Sequence, residues 1–190
     1  MSLEPSLGPS IDQSVAEGFA AQTAFTQDLV RFPSTRGNEH TVPDFMSREL
    51  RGRGMAVDVF AMEDAALARH PGGSRISATH SRAPIVVGIH RPRTETGRSL
   101  ILQGHVDVVP PGPLDMWTTP PFDPVIRDGW MSGRGAGDMK AGVAAAEKTV
   151  RLVRDTIKME KQAAKSEIKT FKDSGGRELR IVELVEVLHE

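Results

Sequence analysis

Six prolines fall within the fifteen residues from Pro110 to Pro124. Proline has no N–H to give to a ladder and breaks a helix interior, so this stretch must be loop. Whatever lies on either side therefore forms separate elements. Upstream, Ser99 to Leu102 (SLIL), running on through Gln103 to Val109, is apolar and β-branched and reads as a buried central strand. Pro84 to Ile89 (PIVVGI) reads the same way, with the turn-like RPRTETGR between the two. Downstream, Val125 to Met131 reads as another strand, and Met139 opens a helix through the alanine-rich AGVAAA.

The N-terminal third supplies helices. Ser14 is a good N-cap for a helix whose apolar members are Val15, Phe19, Ala20, Phe25, Leu29 and Val30, and which stops near Phe32-Pro33. Residues 1–13 carry Pro, Gly and Ser and predict a flexible tail. Thr41 to Arg53 predicts a second helix with Val42, Phe45, Met46 and Leu50 on one face. Met55 to Phe60 alternates as a half-buried strand does, and residues 61–83 read as polar and irregular. The order helix, strand, strand, strand, helix argues for an α/β architecture: a partial mixed or parallel sheet flanked by helices.

Composition narrows the function classes. A net charge of -1 over 190 residues is not the footprint of a general nucleic-acid binder. No apolar run approaches the ~20 residues that cross a bilayer, so no membrane association is expected. No basic start followed by an apolar stretch opens the chain, and a cytoplasmic location is the default expectation. The absence of cysteine excludes disulfides, thiol catalysis and thiolate metal sites, leaving His, Asp and Glu as the strong ligands.

The text changes near residue 146. Residues 1–146 hold one lysine, Lys140, whereas residues 147–190 hold six, and every proline lies at or before Pro124. This predicts a body at 14–146 and a divergent, Lys-rich, mostly helical tail at 147–190, with a long solvated helix from Glu147 to Lys172. The closing ELRIVELVEVLHE is apolar and fits strand or helix. On a helix, Glu183, Glu186 and His189 would share one face, as a metal pair or as an exposed polar stripe.

Two patterns carry chemistry. His105 and Asp107 close an apolar strand two residues apart, so a strand turns both to one face. Catalytic groups in open α/β sheets collect at such carboxyl ends. There a His can hold a metal through one ring nitrogen while a carboxylate fixes the other, although an isolated pair equally describes a solvated strand end. Further on, Gly133-Arg134-Gly135-Ala136-Gly137-Asp138-Met139-Lys140 sets three glycines before Asp138 at the start of a helix. A helix N-terminus keeps a carboxylate ionised for a cation, or simply caps the helix with it. Arg134 could reach a substrate carboxylate or stabilise the turn, and Lys140 could act through local electrostatics. Trp117 and Trp130 are expected to pack.

Taken together, GHVDVVP, then Trp117 followed by PPFDPVIRDGW, then GRGAGDMKAG resemble the metal-binding signature of the M20 metallopeptidase and deacylase family. LVRFPSTRGNE (Leu29 to Glu39) resembles its N-terminal helix and following loop. The resemblance spans about Val15 to Ala146. It implies a zinc-peptidase-like catalytic domain of which this is the N-terminal part. It also implies a metal-dependent hydrolase that cleaves the amide bond of N-acyl amino acids or small peptides. His105 would be a ligand of one zinc and Asp138 would bridge two. Asp107 would orient His105 and support catalysis. Cobalt or manganese could replace zinc. Family members carry, further along, an adjacent Glu-Glu pair supplying a general base and a ligand, and no such pair occurs in this sequence. The alternative expectation is thus a catalytically incompetent remnant, at most a weak metal binder. A partial sheet also predicts homo-oligomerisation or self-association through raw edges.

Overall fold

The computed structural model describes residues 7–73, 83–91, 98–150 and 179–186. Helix α1 runs from Leu7 to Val30, α2 from Thr41 to Gly52, and a short α3 from Asp64 to Arg69. Strands are β1 (Ala56–Phe60), β2 (Ile85–Ile89), β3 (Arg98–His105), β4 (Val125–Arg127), β5 (Trp130–Ser132) and β6 (Leu179–Glu186). Residues 141–150 form helix α4.

The main sheet has the order β1-β2-β6-β3. β1 and β2 pair antiparallel, as do β2 and β6, while β3 and β6 pair parallel from Arg98↔Leu179 to His105↔Glu186. The chain therefore leaves β3, passes through α4 and returns as the strand beside it. Two parallel neighbours need such a crossover. The mixed α/β arrangement expected from the sequence is the one observed.

The core lies between the sheet and the helices. Phe25 and Leu29 of α1, Val42, Met46 and Leu50 of α2, and Val143, Ala144 and Val150 of α4 are buried with Met55, Val86 and Val106. These α2 positions follow the 3.6-residue period that the sequence displays. Gly104 permits the close approach of β3 and α4, since a Cβ there would stand 2.8 Å from Val143 Cγ2. Arg53 ties three helices together. It lies over the Phe25 ring at 4.9 Å and pairs with Glu49 at 2.6 Å and with Glu147. Burial pulls its pKa down, but the hydrogen bonds and charges of Glu49 and Glu147 outweigh this and leave it raised.

Several local expectations give way. α1 begins at Leu7 rather than after Ser14, with Pro9 in its first turn, where no intrahelical N–H is needed. Val15 and Phe19 are exposed, so the buried stripe of α1 starts only at Phe25. Residues 61–83 contain α3. Val125 to Met131 is not one strand but a hairpin, turned at Asp128-Gly129 with φ values of 52° and 81°. Positive φ at both central residues is the requirement of the tight hairpin turn that Asp-Gly favours. The helix expected from Glu147 to Lys172 is described as far as residue 150, and its remainder lies outside the described residues. Leu179–Glu186 is strand, so the helical spacing of Glu183 and Glu186 does not apply, and His189 lies outside the described residues.

Candidate metal centre

β3 ends at His105, and the chain then turns out of the sheet into the proline-rich loop. Val108 N donates to Ser34 O at 2.9 Å, and Ser34 Oγ donates to Val106 O at 2.6 Å in a buried position. These bonds sew the turn after α1 onto the strand end. Asp107 thus lies beyond the strand, yet it stays beside the imidazole. His105 Nδ1 stands 3.1 Å from Asp107 Oδ1.

The second pattern arrives through an irregular turn. Gly135 has φ 79°, and Lys140 N donates to Gly135 O at 3.0 Å across five residues. Asp138 (φ -128°, ψ 99°) and Met139 are not helical, and the Asp138–Met139 peptide is cis. Regular helix starts after Lys140, later than the sequence suggests. Asp138 is therefore presented from an extended kink and not from a helix N-terminus. Its side chain is 91% exposed, and His105 Nε2 lies 3.1 Å from its Oδ1.

The three residues form a relay: Asp107, His105, Asp138. A neutral imidazole that gives its Nδ1 proton to Asp107 turns a lone pair at Nε2 toward Asp138. Zinc–nitrogen and zinc–oxygen bonds of about 2.0–2.2 Å at a tetrahedral centre set the two donors about 3.3 Å apart. The observed 3.1 Å between His105 Nε2 and Asp138 Oδ1 suits a shared divalent cation. Among the described residues, no third His, Asp or Glu completes the cluster.

These groups line a cavity of about 570 Å³ that Arg36, Glu39, Val109 and Arg134 also face. Glu39 is buried, and it comes, with Arg36, from the loop before α2. Beneath the site, Lys140 is fully buried and its Nζ donates to Phe32 O at 2.9 Å. Burial lowers its pKa to about 8, while the Asp107 charge acts in the opposite sense.

Sequence reasoning gave Lys140 only a local role and gave Ser34, Arg36 and Glu39 none. Their signal was the LVRFPSTRGNE stretch, in which polar residues follow a buried helix end. Trp117 packs, donating to Pro111 O at 2.9 Å, but Trp130 is 79% exposed at the hairpin tip. His40 and His70 are exposed and do not line the cavity.

The fold is similar to that of several solved peptidases. Solved relatives include the di-peptidase Dug1p of Saccharomyces cerevisiae, with a TM-score of 0.65 and 19% identity over 94% of this chain and 34% of that one. Human carnosine dipeptidase 1 gives a TM-score of 0.64 and 17% identity over the same shares. Residues 101–163 match the model of peptidase family M20/M25/M40. Among curated relatives, a succinyl-diaminopimelate desuccinylase of Xanthomonas euvesicatoria pv. vesicatoria (strain 85-10) is 46% identical over 81 residues, 43% of this chain and 22% of that protein. That of Acidovorax ebreus (strain TPSY) is 36% identical over 121 residues, 63% of this chain and 28% of the relative. The chain thus spans less than a third of the length of these relatives.

Proposed function

We propose that this chain carries the first ligands of a divalent-metal centre in an amide hydrolase of the M20 type, acting on N-acyl amino acids or small peptides. The observation that carries this reading is the His105 relay, with Asp107 on one ring nitrogen and Asp138 facing the other at hydrogen-bond distance. His105 and Asp138 are the ligands. Asp107 fixes the imidazole tautomer and raises its basicity as a donor. Zinc is the proposed ion, with cobalt or manganese as substitutes, since His and carboxylate donors accept all three. When bound, such a cation polarises the amide carbonyl and lowers the pKa of a coordinated water. Residues 14–146 are proposed as the N-terminal part of the catalytic domain. The names of the curated relatives favour N-acyl amino acids, and those of the solved relatives favour dipeptides.

A second reading has its own observation. Within these 190 residues there is no Glu-Glu pair, and among the described residues no group of three ligands gathers. A chain that binds one cation without turnover satisfies both facts. One experiment separates the readings. Titrate Zn²⁺ into the EDTA-stripped chain by calorimetry, then assay N-acetyl and N-succinyl amino acid hydrolysis with Zn²⁺ or Co²⁺. Zinc binding lost in His105→Ala and Asp138→Ala, and weakened about 10–100-fold in Asp107→Asn, supports the metal centre. Turnover then selects the hydrolase over the remnant. Binding unaffected by these three substitutions refutes both.

A further inference from the structure

Arg134 is a cation of the cavity wall that the metal relay does not use. Its guanidinium lies over the Trp117 ring at 5.1 Å, and Nη2 donates to Pro111 O at 2.9 Å. Trp117 Nε1 donates to that same carbonyl at 2.9 Å. These contacts hold the guanidinium plane in place, so little rotamer freedom is left to lose on binding. A guanidinium has five N–H donors. Among the described residues, the one side-chain hydrogen bond of Arg134 is that to Pro111, no carboxylate forms an ion pair with it, and Nε is buried without an acceptor. A half-buried cation without a direct ion-pair partner is costly even with the carboxylates of Glu39, Asp107 and Asp138 on the same cavity wall, and an anion in contact with it offsets that cost. The cavity that Arg134 lines is the one holding His105 and Asp138, and its 570 Å³ suits a small molecule.

We propose that Arg134 is a specificity-determining residue that receives a carboxylate of the ligand, so that this cavity selects amides bearing a negative charge. The identity of the ligand as an amide rests on the hydrolase reading, whereas the anion preference stands on the guanidinium itself. The carboxylate can lie on the acyl side of the amide or on its amine side.

Trp117 reports on the guanidinium directly once Trp130→Phe removes the other tryptophan. The metal-free full chain is titrated, by fluorescence, with N-propylsuccinamate (acyl-side carboxylate), N-acetylglycine (amine-side carboxylate) and neutral N-acetylglycinamide. Zn²⁺ is titrated separately by calorimetry. The expected result is that Arg134→Met weakens at least one carboxylate probe tenfold or more, while the neutral amide and Zn²⁺ change less than twofold. Arg134→Lys, which keeps the charge but loses the planar fork, recovers part of the affinity. Whichever carboxylate probe responds identifies the side that the anion occupies. Equal losses for charged and neutral probes mean a structural role for Arg134 and overturn the proposal, as does the absence of binding by both carboxylates. If Arg134→Met does not fold, a folded Arg134→Lys variant with unchanged carboxylate affinity also overturns it. Loss of Zn²⁺ binding with Arg134-dependent carboxylate binding intact would instead sink the hydrolase reading alone.

Discussion

Lys140 offers a way to test the interior of this site without metal or substrate. Its ammonium is fully buried, and burial moves its pKa from 10.5 to about 8 against the opposing pull of Asp107. In the unfolded chain the same group keeps its proton to about pH 10.4. Between these limits the unfolded state binds more protons than the folded one, so stability rises with pH. At 1.36 kcal/mol for each pKa unit, the protonated form costs the fold about 3 kcal/mol below pH 8, and that cost vanishes by about pH 10.5. Methionine has a similar length and no proton to lose. It also removes the 2.9 Å bond from Lys140 Nζ to Phe32 O, leaving that carbonyl only the long 3.4 Å contact with Ser34 Oγ, at a cost of about 1–3 kcal/mol at every pH. The two effects nearly cancel near neutrality, so Lys140→Met should be about as stable as the parent at pH 7. At pH 10.5 the neutral amine still donates to Phe32 O, and the parent should be the more stable by about 1–3 kcal/mol. The assay is urea denaturation of the EDTA-treated protein followed by circular dichroism from pH 7 to 10.5, comparing midpoints at constant m-value. A parent-minus-variant difference that stays flat across this range would refute a depressed lysine pKa and the desolvation behind it.

Two further outcomes follow from the geometry. Ser34→Ala removes the buried 2.6 Å bond to Val106 O and should cost about 1–3 kcal/mol in urea denaturation, loosening the strand end that carries His105. Unchanged stability would mean that this contact does not hold the loop. Among the described residues β3 is an outer strand of the main sheet, and its Ile101 is 62% exposed. Ile101→Lys should therefore shift sedimentation toward monomer if edge pairing drives self-association, and an unchanged profile would place the contact elsewhere.

The site was legible where its chemistry is local, and obscure where distant pairing decides the outcome. His105 and Asp107 share one short stretch, and the prolines that follow fix where the strand must end. Asp138 is 33 residues away from His105, yet the two meet within 3.1 Å. The resemblance of three linked motifs, and not the spacing by itself, anticipated that meeting. Local propensity misled at Asp138, because AGVAAA extends a helical pattern backward over a kink that only the packing of Lys140 against Phe32 O reveals. The Asp128-Gly129 hairpin is readable from turn chemistry, but strands of only three residues each carry too little alternation to separate them from one longer strand. β6 was ambiguous for a deeper reason: a short apolar run fits a buried strand or a buried helix equally. Its place between β2 and β3 settles the matter, since residues 86–89 of β2 and all of β3 would otherwise lack a ladder partner on that side. The same placement sets the end of β6 beside His105 in register. In a parallel ladder both strands end at the same edge of the sheet, so Glu186 stands opposite His105 where β3 runs out into the proline-rich loop.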